Sequence, residues 1–397
     1  MAIDGGRMAL ELIYDRPKKA IYVEDQSTID ILRKGHFGEV GEGRLGLTPE
    51  EALFLLDVRK ARCTDKNATQ LRFNDIAKDF SRSGKFMARY FTYKDWRDRG
   101  LIAKCPGRDV GSKDSNKTPT KQYHERKLSL GSATLSGVFF PDDVATVCDD
   151  TEDSKKIYEE QWFGQYGTYK VENHGTLNKL DIFETLFLME KKVLHVENYT
   201  RKQILEIAIA GREDFENMYE IYKDWRDSGY VIKTGFKFGT HFRIYFPGAK
   251  PQKEGNENWA HSKHVVHVFP RDRKLLISDW ARAIRVAHSV RKTFILAIPG
   301  KSRKKKMDID FVLFHRKGGS IEVPGEDRPR YAMLSLSENE FIGGSELSAV
   351  IGEAKKKKLE LIIAIADRET AVTYYKVRRI QLQGSNYEYY EIDWMQP

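Results

Sequence analysis

Residues 233–292 hold the chain's densest concentration of side chains able to move a proton or hold an anion. They read KTGFKFGTHFRIYFPG, then HSKHVVHVFP, then ISDWARAIRVAHSVRK. A histidine titrating near about 6.5 exchanges protons at neutral pH. A tyrosine hydroxyl can position or share a proton, and a lysine ammonium is a compact cation for phosphate oxygens. His261, His264 and His267 recur at three-residue steps, which raises metal ligation. In an extended strand, however, His261 and His267 share a face that His264 does not, so zinc is not expected. His288 falls inside an expected helix and reads as structural. Taken alone, Tyr245 reads as a strand aromatic and Lys292 as one of 67 basic residues.

The elements that must position these groups come from a duplication. Tyr93–Gly100 (YKDWRDRG) returns at Tyr222–Gly229 (YKDWRDSG), seven positions of eight, at an offset of 129. A repeat of this length is a duplicated domain. Upstream, EALFLLD at 51–57 matches ETLFLME at 184–190, at an offset of 133. Thr48 with Glu51 and Asp181 with Glu184 predict capping boxes, with Pro49 at the first helical position. Phe37-Gly38 and Tyr166-Gly167 occupy comparable places. The octapeptide helices are expected to stop at Gly100 and Gly229, each a glycine just past the last turn. Two small α/β units of about 1–104 and 130–233 follow, joined by a Gly, Ser, Asp, Asn, Lys and Pro-rich stretch, 105–129, that reads as a linker.

A fainter duplication relates FILAI at 294–298 to LIIAI at 361–365, at an offset of 67. The same offset relates Ser278-Asp279 to Ser345-Glu346, both read as helix N-caps. A strand, helix, strand order therefore occurs twice, in 234–300 and 308–397, with a basic linker at 301–307. The expected fold class is α+β: a three-unit fusion of repeated N-units and strand-helix-strand C-units. One full molecule lies in the middle and a second is split across the two ends.

The chain has 397 residues, 40% of them hydrophobic, so it is globular with room for several cores. A net charge of +9 permits a polyanionic partner, and basic clusters recur at Arg291–Lys292, Lys301–Lys306 and Lys355–Lys358. Cys63, Cys105 and Cys148 are isolated thiols. No apolar run approaches a membrane span, and Met1–Leu12 lacks a signal pattern, so a cytoplasmic location and no membrane partner are expected.

KTGFKFG, FRIY, His261-Ser262 and RVAHSVRK together resemble the archaeal tRNA-splicing endonucleases, closely over the central unit and more weakly over its flanks. The resemblance implies a catalytic trio of Tyr245, His261 and Lys292. It also implies cleavage without cofactor or metal, leaving 2′,3′-cyclic phosphate and 5′-hydroxyl ends. His261 would act as general acid or base, Tyr245 as its proton-transfer partner and Lys292 as stabiliser of the transition state. Which of Tyr245 and His261 is the base stays open. The implied substrate is precursor tRNA carrying a bulge–helix–bulge fold. Arg285, and less closely Arg282, match a position that stacks on a bulge base.

The last unit provides an internal control. Aligned through FRIY and FVLF, Tyr245 faces Phe314. At the offset of 67, His261 faces Arg328 and Lys292 faces Leu359, so each group has lost its chemistry. The first N-unit runs into Cys105-Pro106-Gly107 where KTGFKFG should stand. The split end units are therefore expected to form one structural partner, 1–104 with 308–397, and two chains to complete a homodimer. Asp367 and Glu369 are the expected dimer contacts. The competing readings are a metal-dependent nuclease using Glu353-Ala354-Lys355 or Glu190-Lys191-Lys192, and a non-catalytic RNA-binding subunit.

Overall fold

A computed structural model describes residues 3–4, 7–8, 10–107, 120–168, 174–251, 253–254, 258–300 and 307–397. The basic cluster 301–306 and residues 108–119 of the expected linker lie outside them.

Both capping boxes form. Helix α1 (Pro49–Asp57) starts where the Thr48 hydroxyl accepts from the Glu51 N–H and the Glu51 carboxylate accepts from the Thr48 N–H. In the second copy, α3 (Ile182–Glu190) starts the same way on Asp181 and Glu184. The octapeptides lie on α2 (Phe86–Asp98) and α4 (Phe215–Asp227). Each ends before a glycine of positive φ, +77° at Gly100 and +83° at Gly229. Gly229 has a second reason to be glycine, since a Cβ there would stand 1.9 Å from the Arg126 carbonyl oxygen.

The octapeptide repeats because its contacts repeat. Trp96 and Trp225 are both fully buried. Lys94 pairs with Asp57 on α1, and Lys223 with Glu190 on α3. The Arg97 guanidinium lies 4.1 Å from the Phe37 ring centre and donates to the Gly35 carbonyl. Arg226 lies 3.7 Å from the Phe163 ring centre and donates to the Gln161 carbonyl. Asp95 accepts from the Tyr374 hydroxyl, and Asp224 from the Tyr389 hydroxyl. These pairs correct one expectation. The counterpart of Phe37-Gly38 is Phe163-Gly164, because the Gly38 and Gly164 N–H groups both donate to the capping glutamate of the following helix. Gln165-Tyr166 instead form a strand of the second unit's sheet.

Each N-unit has its own small sheet, of six strands in the first and five in the second. Both copies then feed one eleven-stranded sheet. Its strands are β1 (Ile102–Lys104), β2 (Lys121–Tyr123), β3 (Val231–Thr234), β4 (Phe242–Tyr245), β5 (His264–Val268), β6 (Thr293–Ile298), β7 (Phe311–Phe314), β8 (Tyr331–Ser337), β9 (Glu360–Ala366), β10 (Val372–Leu382) and β11 (Glu388–Met395). The order is β3-β4-β5-β6-β11-β10-β9-β8-β7-β1, with β2 parallel to β10. The two halves mirror each other about the β10–β11 hairpin. Strand β1 ends the first N-unit and pairs with β7, which lies about 200 residues on, so Trp96, Phe311, Tyr331 and Tyr374 share one core.

The stretch read as a linker enters the fold at its end. Strand β2 carries Tyr123, which is buried in the central core against Trp225 and Tyr230.

Helix α5 (Ile277–Ser289) and α6 (Gly344–Lys356) cover one face and share a core with β5, β6, β8 and β9. The expected N-caps Ser278 and Ser345 lie inside these helices, whose capping positions are Leu276 and Gly343. Carbonyls of the opposite unit take over that work. The Ile277 and Ser278 N–H groups donate to Glu340 and Glu338, and Ser345 donates to Arg271. Among the described residues no helix is long and apolar enough to cross a membrane.

Candidate active site

Three neighbouring strands bring the candidate residues to one end of the sheet. Ile244 on β4 pairs with His264 on β5, and His264 pairs with Thr293 on β6. One residue outward, Tyr245, Lys263 and Lys292 form a row across the three strands on the face that carries α5. At about 4.8 Å between strands, the Tyr245 and Lys292 backbones stand about 10 Å apart across the sheet. His261 lies two residues before Lys263, in the segment entering β5.

Tyr245 is nearly buried, its ring 4.6 Å from that of Trp162 at the end of the second N-unit's first helix. Val231, Tyr158, Ala249 and Ala260 complete this small cluster. His261 is exposed. Lys292 is half-buried and donates to both the hydroxyl and the carbonyl of Ser262, the hydroxyl at 2.9 Å. Its ammonium also lies 4.9 Å from the Phe238 ring centre. Burial first, and then the charge of Arg243, hold its pKa below the ordinary lysine value. Ser262 therefore ties the segment carrying His261 to the lysine that immediately precedes β6. Sequence reasoning passed over Ser262, Trp162 and Phe238. The legible signal was that Ser262 follows His261 and Phe238 lies in KTGFKFG.

The register identifies the counterparts in the last unit. Lys233 pairs with Arg243 as Lys104 pairs with Val312, and Tyr245 pairs with Val231 as Phe314 pairs with Ile102. Phe314 thus occupies the Tyr245 position. His264 and Tyr331 are likewise equivalent, because they face Thr293 and Glu360 in the same parallel pairing. Three residues upstream, Arg328 stands where His261 stands, and Leu359 precedes β9 as Lys292 precedes β6.

His261, His264 and His267 do not converge on one point. His264 is buried with its Nε2 3.3 Å from the Tyr123 hydroxyl. His267 faces the other side of β5, its ring 4.5 Å from that of His241. His288 meets the backbone of Ile392 and Trp394 on β11. Glu190 is engaged by Lys223, Arg201 and Tyr219, and Glu353 by Lys356. Among the described residues no three His, Cys, Asp or Glu side chains are grouped to hold a metal ion.

Arg282 and Arg285 lie on the exposed side of α5. Arg282 pairs with Asp279 at 3.8 Å. The charge of Arg285 reaches Tyr375, which pairs with Trp394 near the Lys292 end of the sheet. Asp367 and Glu369 lie on the β9–β10 turn, at the same end of the sheet as Lys292, whose row continues through Trp394 and Tyr375 to Ile363 on β9. The Asp367 carboxylate accepts from the Glu369 and Ala371 N–H groups, both at 2.9 Å, so it closes its own turn, while Glu369 is exposed.

The family model of the tRNA intron endonuclease catalytic C-terminal domain matches residues 215–311, and that of the N-terminal domain matches residues 140–206. A tRNA-splicing endonuclease of Methanococcoides burtonii is 26% identical over 73% of this chain and 95% of its own length. That of Methanopyrus kandleri is 37% identical over 38% of this chain and 77% of its own. That of Pyrobaculum arsenaticum is 33% identical over 39% of this chain and 86% of its own.

Proposed function

The chain belongs to the tRNA-splicing endonuclease family and is an endoribonuclease of tRNA introns, and from that premise we propose how it cuts. The substrate is precursor tRNA folded as a bulge–helix–bulge, cleaved without a metal. The 2′-oxygen bonds to phosphorus, the bond from phosphorus to the 5′-oxygen breaks, and 2′,3′-cyclic phosphate and 5′-hydroxyl ends result. Tyr245 and His261 share the two proton transfers, one taking the 2′-hydroxyl proton and the other protonating the leaving oxygen. Lys292 stabilises the charge that builds on the phosphorane. The observation that carries this reading is the row of Tyr245, Lys263 and Lys292, with His261 alongside, set against Phe314 and Leu359 in the last unit.

In this reading 130–233 and 234–300 form the catalytic unit. Units 1–104 and 308–397 form its structural partner, with 105–129 and 301–307 as connections. The pairing of β1 with β7 supports that division. Arg285 stacks on a bulge base, with Arg282 one turn earlier. Two chains form the working homodimer through the β9–β10 turn, where exposed Glu369 makes the contact and Asp367 holds the turn. The free thiols of Cys63, Cys105 and Cys148 suit a reducing cytoplasm.

The test is incubation of a bulge–helix–bulge RNA in EDTA with the wild type, His261→Ala and Lys292→Ala, with the product ends mapped. Wild-type cleavage to cyclic phosphate ends, lost in both variants, is expected. Cleavage that appears only when a divalent metal is added overturns the scheme in favour of the glutamate-lysine nuclease. Sedimentation of the Asp367→Lys, Glu369→Lys double variant tests the dimer, and a dimer that persists and cleaves normally removes these contacts.

A further inference from the structure

Strand β4 carries a cation that forms no ion pair among the described residues. Arg243 precedes Tyr245 by two residues and so shares its face of the sheet. Its guanidinium carbon lies 5.7 Å from the Tyr245 ring centre. Directly across β3 stands Lys233, but that ammonium is committed to Glu184 and the Gly164 carbonyl. Among the described residues Arg243 forms no ion pair, and its Nε is buried without a hydrogen-bond partner. An unpaired buried donor is a standing cost to the folded chain. A second cost comes from charge, since Arg243 acts on Lys292 as a like-charged neighbour. Both costs vanish when an anion arrives.

The last unit again supplies the comparison. The register places Val312 at the Arg243 position. The counterpart of Lys263 at the offset of 67 is Arg330, and there the positive charge is neutralised by Glu322 at 2.5 Å. The unit that keeps the tyrosine and lysine keeps, two residues inward of that row, an arginine with no ion pair among the described residues, and the unit that lost them holds valine.

We infer that Arg243 is a second phosphate-binding residue of the active site, its guanidinium donating to a non-bridging oxygen of the scissile phosphate beside Lys292. This rests on the cleavage proposed above. The planar fork of an arginine spans two phosphate oxygens, which a lysine does not. The phosphorane carries one more negative charge than the phosphodiester, so the contact strengthens as the reaction proceeds and acts on the rate more than on binding.

The experiment measures single-turnover cleavage of a bulge–helix–bulge RNA by the wild type, Arg243→Val, Arg243→Lys and Lys292→Ala. Binding is read with the same RNA carrying 2′-deoxyribose at the scissile positions. Arg243→Val should slow cleavage about 100-fold or more, change binding by less than about threefold, and leave the melting temperature unchanged or higher. Arg243→Lys should recover only part of the rate. The alkaline limb of the pH–rate profile of Arg243→Val should move up, because Lys292 no longer faces a second cation. A rate for Arg243→Val within about threefold of wild type overturns the inference, as does a loss that appears only with a fallen melting temperature. If Lys292→Ala is inactive and Arg243→Val is normal, only this inference fails. If the wild type leaves the RNA intact, the proposed function fails with it.

Discussion

Lys292 donates to the Ser262 hydroxyl at 2.9 Å, and Ser262 is the residue next to His261. One hydrogen bond thereby links the segment entering β5 to the residue just before β6. Replacing Ser262 by alanine leaves Lys292 its second acceptor, the Ser262 carbonyl, but frees its ammonium to move. A hydrogen bond to a charged group contributes about 1.5–3 kcal/mol, so single-turnover cleavage by Ser262→Ala should slow about tenfold or more while RNA binding holds. A Ser262→Ala enzyme as fast as the wild type would show that Lys292 is positioned by other contacts.

Tyr245→Phe reproduces what the protein already contains at Phe314. The Tyr245 ring packs on Trp162 with the hydroxyl or without it. Stability should therefore change by less than about 1 kcal/mol, whereas cleavage should fall about 100-fold or more if the hydroxyl moves a proton. Denaturant unfolding and cleavage measured on the same preparation separate the two effects. A large loss of stability would make Tyr245 a packing residue.

His241 and His267 tie stability to acid. Burial is the larger cause holding both down, His241 to about 3 and His267 to about 4. An unfolded histidine titrates near about 6.5, so between that pH and about 4 the unfolded chain binds protons that the folded chain refuses. Stability is therefore lost as the pH falls through this window. His267→Leu, which copies Leu334 at the offset of 67, should lose roughly 2 kcal/mol less than the wild type between pH 7 and 4.5. Urea unfolding at the two pH values reads the difference, and parallel losses would place the acid sensitivity elsewhere.

Lys233 and Glu184 form a buried pair at 2.5 Å that also holds Gly164, as Lys104, Glu51 and Gly38 do in the first copy. Lys233→Met leaves the Glu184 carboxylate without its cation and should cost about 3–5 kcal/mol. Adding Glu184→Leu should restore a large part of that stability, although the α3 cap is lost with it. Equal destabilisation by the single and double variants would mean the pair does not work as a unit.

Much of this protein was legible in its chain because the signals are local. A capping box needs residues three apart, a helix end needs one glycine, and a duplicated octapeptide needs no fold to be seen. The types at Tyr245, His261 and Lys292, and their loss at Phe314, Arg328 and Leu359, follow from motif and offset alone. What the tertiary structure decided are partnerships between distant segments. Strand β1 finds β7 about 200 residues away, because each N-unit leaves its last strand unpaired until a C-unit strand adds to it. Helices α5 and α6 begin two residues earlier than their serines suggested, because carbonyls of the opposite unit satisfy their first N–H groups. Tyr123 leaves the linker for the central core because an apolar ring is stabilised there and not in water. Arg243 lay in plain view inside FRIY. That it meets no counter-charge among the described residues is a property of everything packed around it, and no spacing within the chain encodes that.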